Sequence, residues 1–436
     1  MRIRNLFEID FIILFAVIGL TIIGILSIYS SGISSEGSLI STEYRRQMLW
    51  VSFGLLLALA LALLNYKRIY DMTIYFYLGA IFLLVITLMF GRLMHGTRWL
   101  RIGGIGIQAS EFAKIAAILF LAWYLDSRKR NQGALIRFVV SCVIMVIPMI
   151  LILLQPDLGT ALVFIPILMG MTYIAGLPIR YIAFLGLCIA FSGVLLVLPL
   201  WQTAIMNNSI PVIMGLVNTR IIIAASLTLA LIMAIAAFGY KRFKKSYFYW
   251  ISFVAAIAII SLGTSFIAGK TLREYQIMRL IVFIDPNVDP RGFGWQIIQS
   301  TTAIGSGGVF GQGFLQGTQS HYHFLPEQST DFIFSILSEE WGFFGGILLF
   351  ALFLIVLLRL IRIMRITNDS FGSYIVAGLV SMYAFHFIIN VGMTMGIMPI
   401  TGIPLMFVSY GGSAMASAMM GIGLAFSVHV RRYSQP

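Results

Sequence analysis

The chain has 436 residues, of which 60% are hydrophobic and only 10% charged, with a formal net charge of +13. Soluble domains carry about 25% charged residues, so that class is excluded. The positive balance does not point to nucleic acid either: no basic block with interleaved aromatic residues is present, and membrane proteins collect their cations in cytoplasmic connections.

Twelve apolar segments follow one another, at 9–30, 47–65, 70–90, 109–125, 136–154, 158–177, 181–199, 220–239, 248–268, 332–358, 372–392 and 405–428. Runs near twenty residues long match the hydrocarbon core of a bilayer. Backbone groups in lipid must bond within their own segment, so the runs are helices. None alternates apolar and polar residues as a barrel strand would. The expected fold is an all-α polytopic integral membrane protein with about 12 transmembrane helices. The first run is too long for a cleavable signal and lacks a small-residue cleavage site. Cys142 and Cys188 fall inside apolar runs and read as packing residues. Cations gather at Lys67 and Arg68, at 128–130, at 241–245, at 359–365 and at Arg431 and Arg432. With these connections inside, both termini are expected to be cytoplasmic.

In the fourth segment Glu111 and Lys114 stand three apart, on one helix face near its outer end. Each charge alone is costly at membrane depth, and together they neutralise one another. Ionisable residues inside a membrane point to function; the plainer alternative is a pair snorkelling to the interface. Arg98 and Arg101 precede this segment. Gln155-Pro156-Asp157-Leu158-Gly159-Thr160 joins the fifth and sixth segments. Asp157 can cap the next helix, and capping is compatible with a functional role.

A polar stretch over 269–331 is expected to be a large extracellular loop. It carries Lys270, Arg273, Arg279, Asp285, Asp289, Arg291, Glu327 and Asp331. Two Asp-Pro steps, Asp285-Pro286 and Asp289-Pro290, favour turns, and either carboxylate can simply shape one. Gly305-Ser306-Gly307-Gly308 lacks the Lys-Ser/Thr ending of a phosphate loop. Its glycines would let backbone approach a ligand or a membrane surface. Glu339 and Glu340 follow inside the tenth segment and want a cation or a wet cavity. Near the C-terminus, Pro399, Gly402 and Pro404 interrupt apolar sequence before Ser409-Tyr410-Gly411-Gly412-Ser413. Small residues of this kind suit close helix packing. The five histidines show no metal-ligand spacing.

These motifs together resemble the SEDS family, named for shape, elongation, division and sporulation. The matching pieces are Ser-Glu-Phe-Ala-Lys (110–114), Gln-Pro-Asp-Leu-Gly-Thr (155–160) and Asp-Pro-x-x-Asp-Pro (285–290). They continue with Ile-Gly-Ser-Gly-Gly (304–308), Phe-Leu-Pro-Glu (324–327), Thr-Asp-Phe-Ile-Phe (330–334) and the stretch from Asn390 through Ser413. The resemblance spans almost the whole chain. The wording of 324–341 and the short tail ending at Pro436 resemble the RodA-like branch more than the FtsW-like branch.

The resemblance implies a single membrane domain over 1–436 and an enzyme that polymerises lipid II into β-1,4 glycan strands. The enzyme would act on the outer face of the bacterial cytoplasmic membrane. It implies a class B penicillin-binding protein and the elongation machinery as partners. The usual ten-helix core, set against twelve segments, implies an inserted helix pair within 181–268. Asp289 matches the family's catalytic aspartate and is the expected base. Lys114, Arg98 and Arg101 are expected to meet the pyrophosphate, with Glu111 and Asp157 orienting Lys114 or holding a divalent cation, Mg or Mn. Glu327, Asp331, Ser409, Gly411 and Gly412 are expected to support the site. Two other readings stand beside the enzyme: a lipid II flippase or other lipid transporter, and a non-catalytic scaffold for the penicillin-binding protein.

Overall fold

The computed structural model describes residues 9–34, 36–93, 98–102, 105–128, 132–202, 210–322 and 324–432. The chain divides into two compact units, one formed by Met1–Leu177 with Gln299–Pro436 and the other by Pro178–Ile298.

The first unit begins with α1 (Phe11–Ser31), α2 (Glu43–Leu63), α3 (Tyr66–Ile69) and α4 (Thr73–Leu93). A two-stranded antiparallel hairpin follows, β1 (Leu100–Ile102) with β2 (Ile105–Ile107), in a register that pairs Leu100 with Ile107. Hydropathy gave no sign of this hairpin, because six strand residues are too few for a period to show. Next come α5 (Ala109–Ser127), α6 (Ala134–Leu154), α7 (Leu158–Leu162) and α8 (Phe164–Ile174). The second unit holds α9 (Ile179–Trp201), α10 (Pro211–Met214), α11 (Thr219–Phe243), α12 (Ser246–Thr271) and α13 (Glu274–Ile284). Helix α14 (Phe293–Ser306) leads back, and α15 (Thr318–His321), α16 (Ile333–Ile366), α17 (Ser370–Thr394) and α18 (Gly412–Val430) complete the first unit.

Ten helical spans among the described residues are long and apolar enough to cross a membrane. The other two expected segments fall on α5, which carries Glu111 and Lys114, and on the shorter apolar stretch Leu158–Ile174. The helices expose broad apolar surface, for instance Leu49, Tyr75, Phe238 and Phe343, each more than 60% exposed. Such faces are stable only against lipid tails or a partner. The stretch 181–268 falls in the second unit, where α11 packs on α12 and α12 on α9.

The polar stretch 269–331 is not one open loop. It contains α13, a 3₁₀ turn over Pro286–Val288, α14 and α15. The hydropathy average hides α13, which mixes Glu274, Gln276 and Arg279 with the buried Ile281 and Val282. The last apolar segment also starts later than 405, at Gly412, because Pro399, Gly402 and Pro404 keep the chain non-helical before it.

Two close approaches set the inner packing of the first unit. A Cβ on Gly423 would meet the Ala58 backbone and one on Gly54 would meet Met419, so small residues bring α18 and α2 together. Asp10 caps α1 and also accepts from Arg359 of α16, with Nη2 2.6 Å from Oδ2. Helix α16 is 34 residues long and bends at Gly342, whose φ of +63° only glycine adopts cheaply. The motif glycines pack against this bend: Gly311 N donates to Gly307, Gln312 N to the Glu339 carbonyl and Phe343 N to the Gly308 carbonyl. A Cβ on Gly307 or Gly311 would collide with α16 backbone. Their backbone therefore approaches another backbone, and not a ligand or a membrane surface as expected from sequence.

Candidate active site

The N-terminal ends of α2, α5 and α18, the C-terminal part of α17 and the hairpin gather most of the sequence motifs of the first unit. Helix α5 starts at Ala109, and its first turns bury Glu111 and Lys114 completely. Lys114 Nζ lies 2.9 Å from Glu111 Oε1, as the i,i+3 spacing predicts. The other glutamate oxygen, Oε2, accepts from Ser417 Oγ of α18 at 3.0 Å. Lys114 Nζ also lies 3.0 Å from His386 Nε2 on α17. His386 Nδ1 in turn lies 3.0 Å from the Pro404 carbonyl. A carbonyl only accepts, so Nδ1 carries the proton and Nε2 accepts from the ammonium. The pair is not a snorkelling pair: it is a sealed charge cluster tying three helices together.

Asp157 is a helix cap. It accepts from Thr160 N at 3.2 Å and Thr160 Oγ1 at 3.0 Å, starting α7. Its Oδ2 also accepts from Gln108 Nε2 at 3.0 Å, and the Gln108 backbone N–H donates to Ser413 Oγ at 3.0 Å. Asp157 thus connects the start of α7 to the starts of α5 and α18. Arg98 donates to the Pro156 carbonyl, which pins the hairpin against the same turn. The side chain of Arg101 lies outside the described residues.

The donor set does not fit the divalent cation expected at Glu111 and Asp157. Both Glu111 oxygens are taken by an ammonium and a hydroxyl, and Asp157 is engaged by its cap and by Gln108. Among the described residues no three His, Cys, Asp or Glu side chains converge as a metal site.

The C-terminal motif folds as a non-helical wall stapled by side chains. Ser409 Oγ donates to the Thr330 carbonyl at 2.6 Å, and Leu405 N donates to that same Oγ at 2.9 Å. Tyr410 N donates to the Ser329 carbonyl at 2.9 Å. Gln47 of α2 donates to the Ser409 carbonyl and accepts from Gly411 N. Asn390 donates to the carbonyls of both Asp331 and Ile403. Glu327 is exposed and accepts from Thr330 Oγ1 at 3.3 Å. Ser409 and Asn390 therefore hold this wall in place.

The wall closes one side of a cavity of about 770 Å³. Arg46, Trp50 and Phe53 of α2 line it, with Trp99, Thr330, Tyr410, Gly411 and Gly412. A Cβ on Gly412 would overlap the Trp50 indole, so glycine is what lets α2 approach here. The exposed Arg46 supplies a cation to the lining. Sequence reasoning passed over Arg46, Gln47, Ser417 and His386: the first two end the polar run 41–47, which reads as a solvated helix start, and the other two are lone polar residues in apolar sequence. Lys114, expected to meet the pyrophosphate, has 0% side-chain exposure and is committed to Glu111 and His386.

Asp289 belongs to the second unit. Its Oδ2 accepts from Phe293 N at 2.9 Å and starts α14. A Cβ on Gly292 would strike this carboxylate, and one on Gly294 the Asp289 carbonyl. The two glycines leave the acid half-exposed in a tight turn. Asp285 is spent differently: its Oδ1 accepts both the backbone N–H and the side-chain amide of Asn287, at 2.9 and 3.0 Å. It shapes the 3₁₀ turn, as the Asp-Pro reading allowed.

Comparison with known proteins gives consistent matches. The family described as "Cell cycle protein", of FtsW, RodA and SpoVE, matches residues 9–210 and 203–434. The peptidoglycan glycosyltransferase RodA of Treponema pallidum is 47% identical over 435 residues, covering 99% of this chain and 100% of that one. Stage V sporulation protein E of Bacillus subtilis is 31% identical, covering 98% of each chain. Among solved structures, a chain of a peptidoglycan synthase complex that coordinates polymerization and crosslinking superposes with a TM-score of 0.65. It is 26% identical, with 98% of this chain and 99% of that one covered.

Proposed function

We infer that this chain, which belongs to the cell cycle protein family of FtsW, RodA and SpoVE, is a peptidoglycan glycosyltransferase of the elongation type. It polymerises lipid II into β-1,4 glycan strands on the outer face of the bacterial cytoplasmic membrane. The observation that carries the chemistry is the 770 Å³ cavity at the motif-bearing helix ends, where aromatic rings and one exposed arginine meet. A lipid-linked sugar pyrophosphate presents apolar ring faces and a dianionic group, which suit such a lining.

The reaction joins the 4-hydroxyl of a GlcNAc to the anomeric carbon of a lipid-linked MurNAc. The bond from that carbon to the pyrophosphate oxygen breaks, and undecaprenyl pyrophosphate leaves. An α-linked donor and a β-linked product require inversion in one displacement. To Asp289 we assign the role of base for the hydroxyl proton. Its Oδ2 is held by the cap of α14, which fixes the carboxylate's orientation. To Arg46 we assign the charge on the departing pyrophosphate, in place of the buried Lys114. Glu111 and Lys114 set the floor under the motif wall. No step is routed through a metal held by Glu111 and Asp157.

A lipid-transport reading is less well supported. Among the described residues the buried ionisable groups, including Asp10, Glu111, Lys114, Arg137, Asp157, Glu339, Glu340 and His386, all lie within about three turns of a helix end. A transport path calls for charge at the bilayer midplane. A class B penicillin-binding protein in the same membrane is the proposed partner, consistent with the polymerization and crosslinking complex to which the fold is similar.

Purified protein given labelled lipid II, with and without the partner, is expected to form glycan strands. Lipid movement without polymerisation would replace the enzyme reading with the transporter reading. Arg46→Gln is expected to lower the rate about tenfold or more, as the loss of one charged contact in a transition state does. An unchanged rate would remove Arg46 from the mechanism. For topology, a cysteine at Glu36 is expected to react with an impermeant maleimide from outside and one at Lys241 is not. Both positions are exposed, so labelling of Lys241→Cys from outside would reverse the orientation.

A further inference from the structure

Among the ionisable residues of the buried cluster, His386 is the one that no sequence motif marks. It is 1% exposed and sits on α17, 272 positions from Lys114 in the chain. Two contacts define it. Nδ1 donates to the Pro404 carbonyl, 3.0 Å away, and Nε2 accepts from Lys114 Nζ at 3.0 Å. The ring therefore carries its proton on Nδ1, which is the less common tautomer in water. A proton on Nε2 instead would set two donors against each other and leave a buried carbonyl without a partner. Pro404 belongs to the non-helical wall that continues to Ser409, Gly411 and Gly412. Lys114 in turn holds Glu111, and Glu111 accepts from Ser417, just over one turn inside α18 from Gly412. The imidazole is thus a bridge between the cavity wall and the charges beneath it.

We propose that His386 is a positioning residue of the site: through one fixed tautomer it clamps the Pro404 wall segment to the Lys114–Glu111 pair and so holds the Arg46-lined cavity in its working shape. This rests on the glycosyltransferase reading above. The role needs one donor and one acceptor on a neutral side chain, held a ring's width apart. Glutamine offers both, through its amide N–H and its carbonyl oxygen. Leucine offers neither and leaves the Pro404 carbonyl and one Lys114 proton unpaired.

The test compares unmodified protein, His386→Gln and His386→Leu in lipid II polymerisation, with kcat and KM determined separately. His386→Gln is expected to stay within about threefold of the unmodified rate. His386→Leu is expected to lose about 10²-fold in kcat, the scale of a misplaced reacting geometry, with KM changed far less. If His386→Leu does not fold, the Gln variant and a spectroscopic measurement decide. In protein labelled with ¹⁵N-histidine, the signal lost in His386→Gln is expected to show a protonated Nδ1 and an unprotonated Nε2. Three results would overturn the proposal: full kcat in His386→Leu, a folded Gln variant as inactive as Leu, or a proton on Nε2. Failure of the unmodified protein to polymerise lipid II would count against the functional reading alone, since the tautomer measurement does not depend on activity.

Discussion

Asp289→Asn is expected to lower glycan-strand synthesis by about 10²–10⁴-fold, the contribution of a positioned general base, while leaving the protein folded. The structure explains why the fold should survive. Asp289 uses Oδ2 to accept the Phe293 N–H and start α14. An asparagine carbonyl oxygen accepts the same bond, and asparagine is as good a cap as aspartate. What the amide cannot do is take up the proton of an attacking hydroxyl. Asp285→Asn is the matched control. Its carboxylate accepts from Asn287 within the turn, and asparagine can do this too. Synthesis should therefore persist in Asp285→Asn. The measurement is strand formation from labelled lipid II, with partner binding followed in parallel. Asp289→Asn working at the normal rate would remove this residue as the base.

Lys114→Met is expected to cost about 3–5 kcal/mol, the penalty for leaving a buried charge without its partner. The reason is burial: side-chain exposure is 0% for Lys114 and 2% for Glu111, so water cannot replace the lost contact. Glu111 would keep only Ser417. Glu111→Gln should also be damaging, because the ammonium would be left with a neutral amide and His386. The double variant Glu111→Gln, Lys114→Met should lose less than the two single changes together, since no charge is then stranded. Thermal unfolding in detergent, with activity alongside, measures the cycle. Simple additivity would mean that the two residues do not act as a pair.

Much of this protein could be read from its residues. Length and apolarity alone identified the ten helices that are long and apolar enough to cross a membrane, though not the count of twelve, because a bilayer demands about twenty apolar residues in helical form wherever the chain crosses. Local spacing also gave contacts that close within one turn. Glu111 meets Lys114 three residues on, and Asp157 caps the helix through Thr160. The turn chemistry of Asp285 with Asn287 was legible for the same reason. A short-range hydrogen bond needs only the residue types and the helical or turn geometry between them.

Contacts between distant segments could not be read this way. His386 reaches Lys114 across 272 positions, Ser417 reaches Glu111 across 306, and Gln47 reaches Ser409 across 362. Apolar periodicity says which face of a helix is buried but not which helix covers it. In lipid, packing is selected by the shapes of small residues such as Gly54 and Gly423. The same limit misled the reading of the 304–313 glycines. Their density signalled a close approach, yet only the packed structure showed that Gly307 and Gly311 make it, against α16 beside its Gly342 bend. The sequence by itself determined the membrane class, the ten long apolar helices and the locally bonded acids. Tertiary structure alone decided that Lys114 is sealed between Glu111 and His386, that Arg46 lines the cavity, and that His386 joins the wall to the charges, because burial and long-range pairing are properties of helices packed together and not of any one of them.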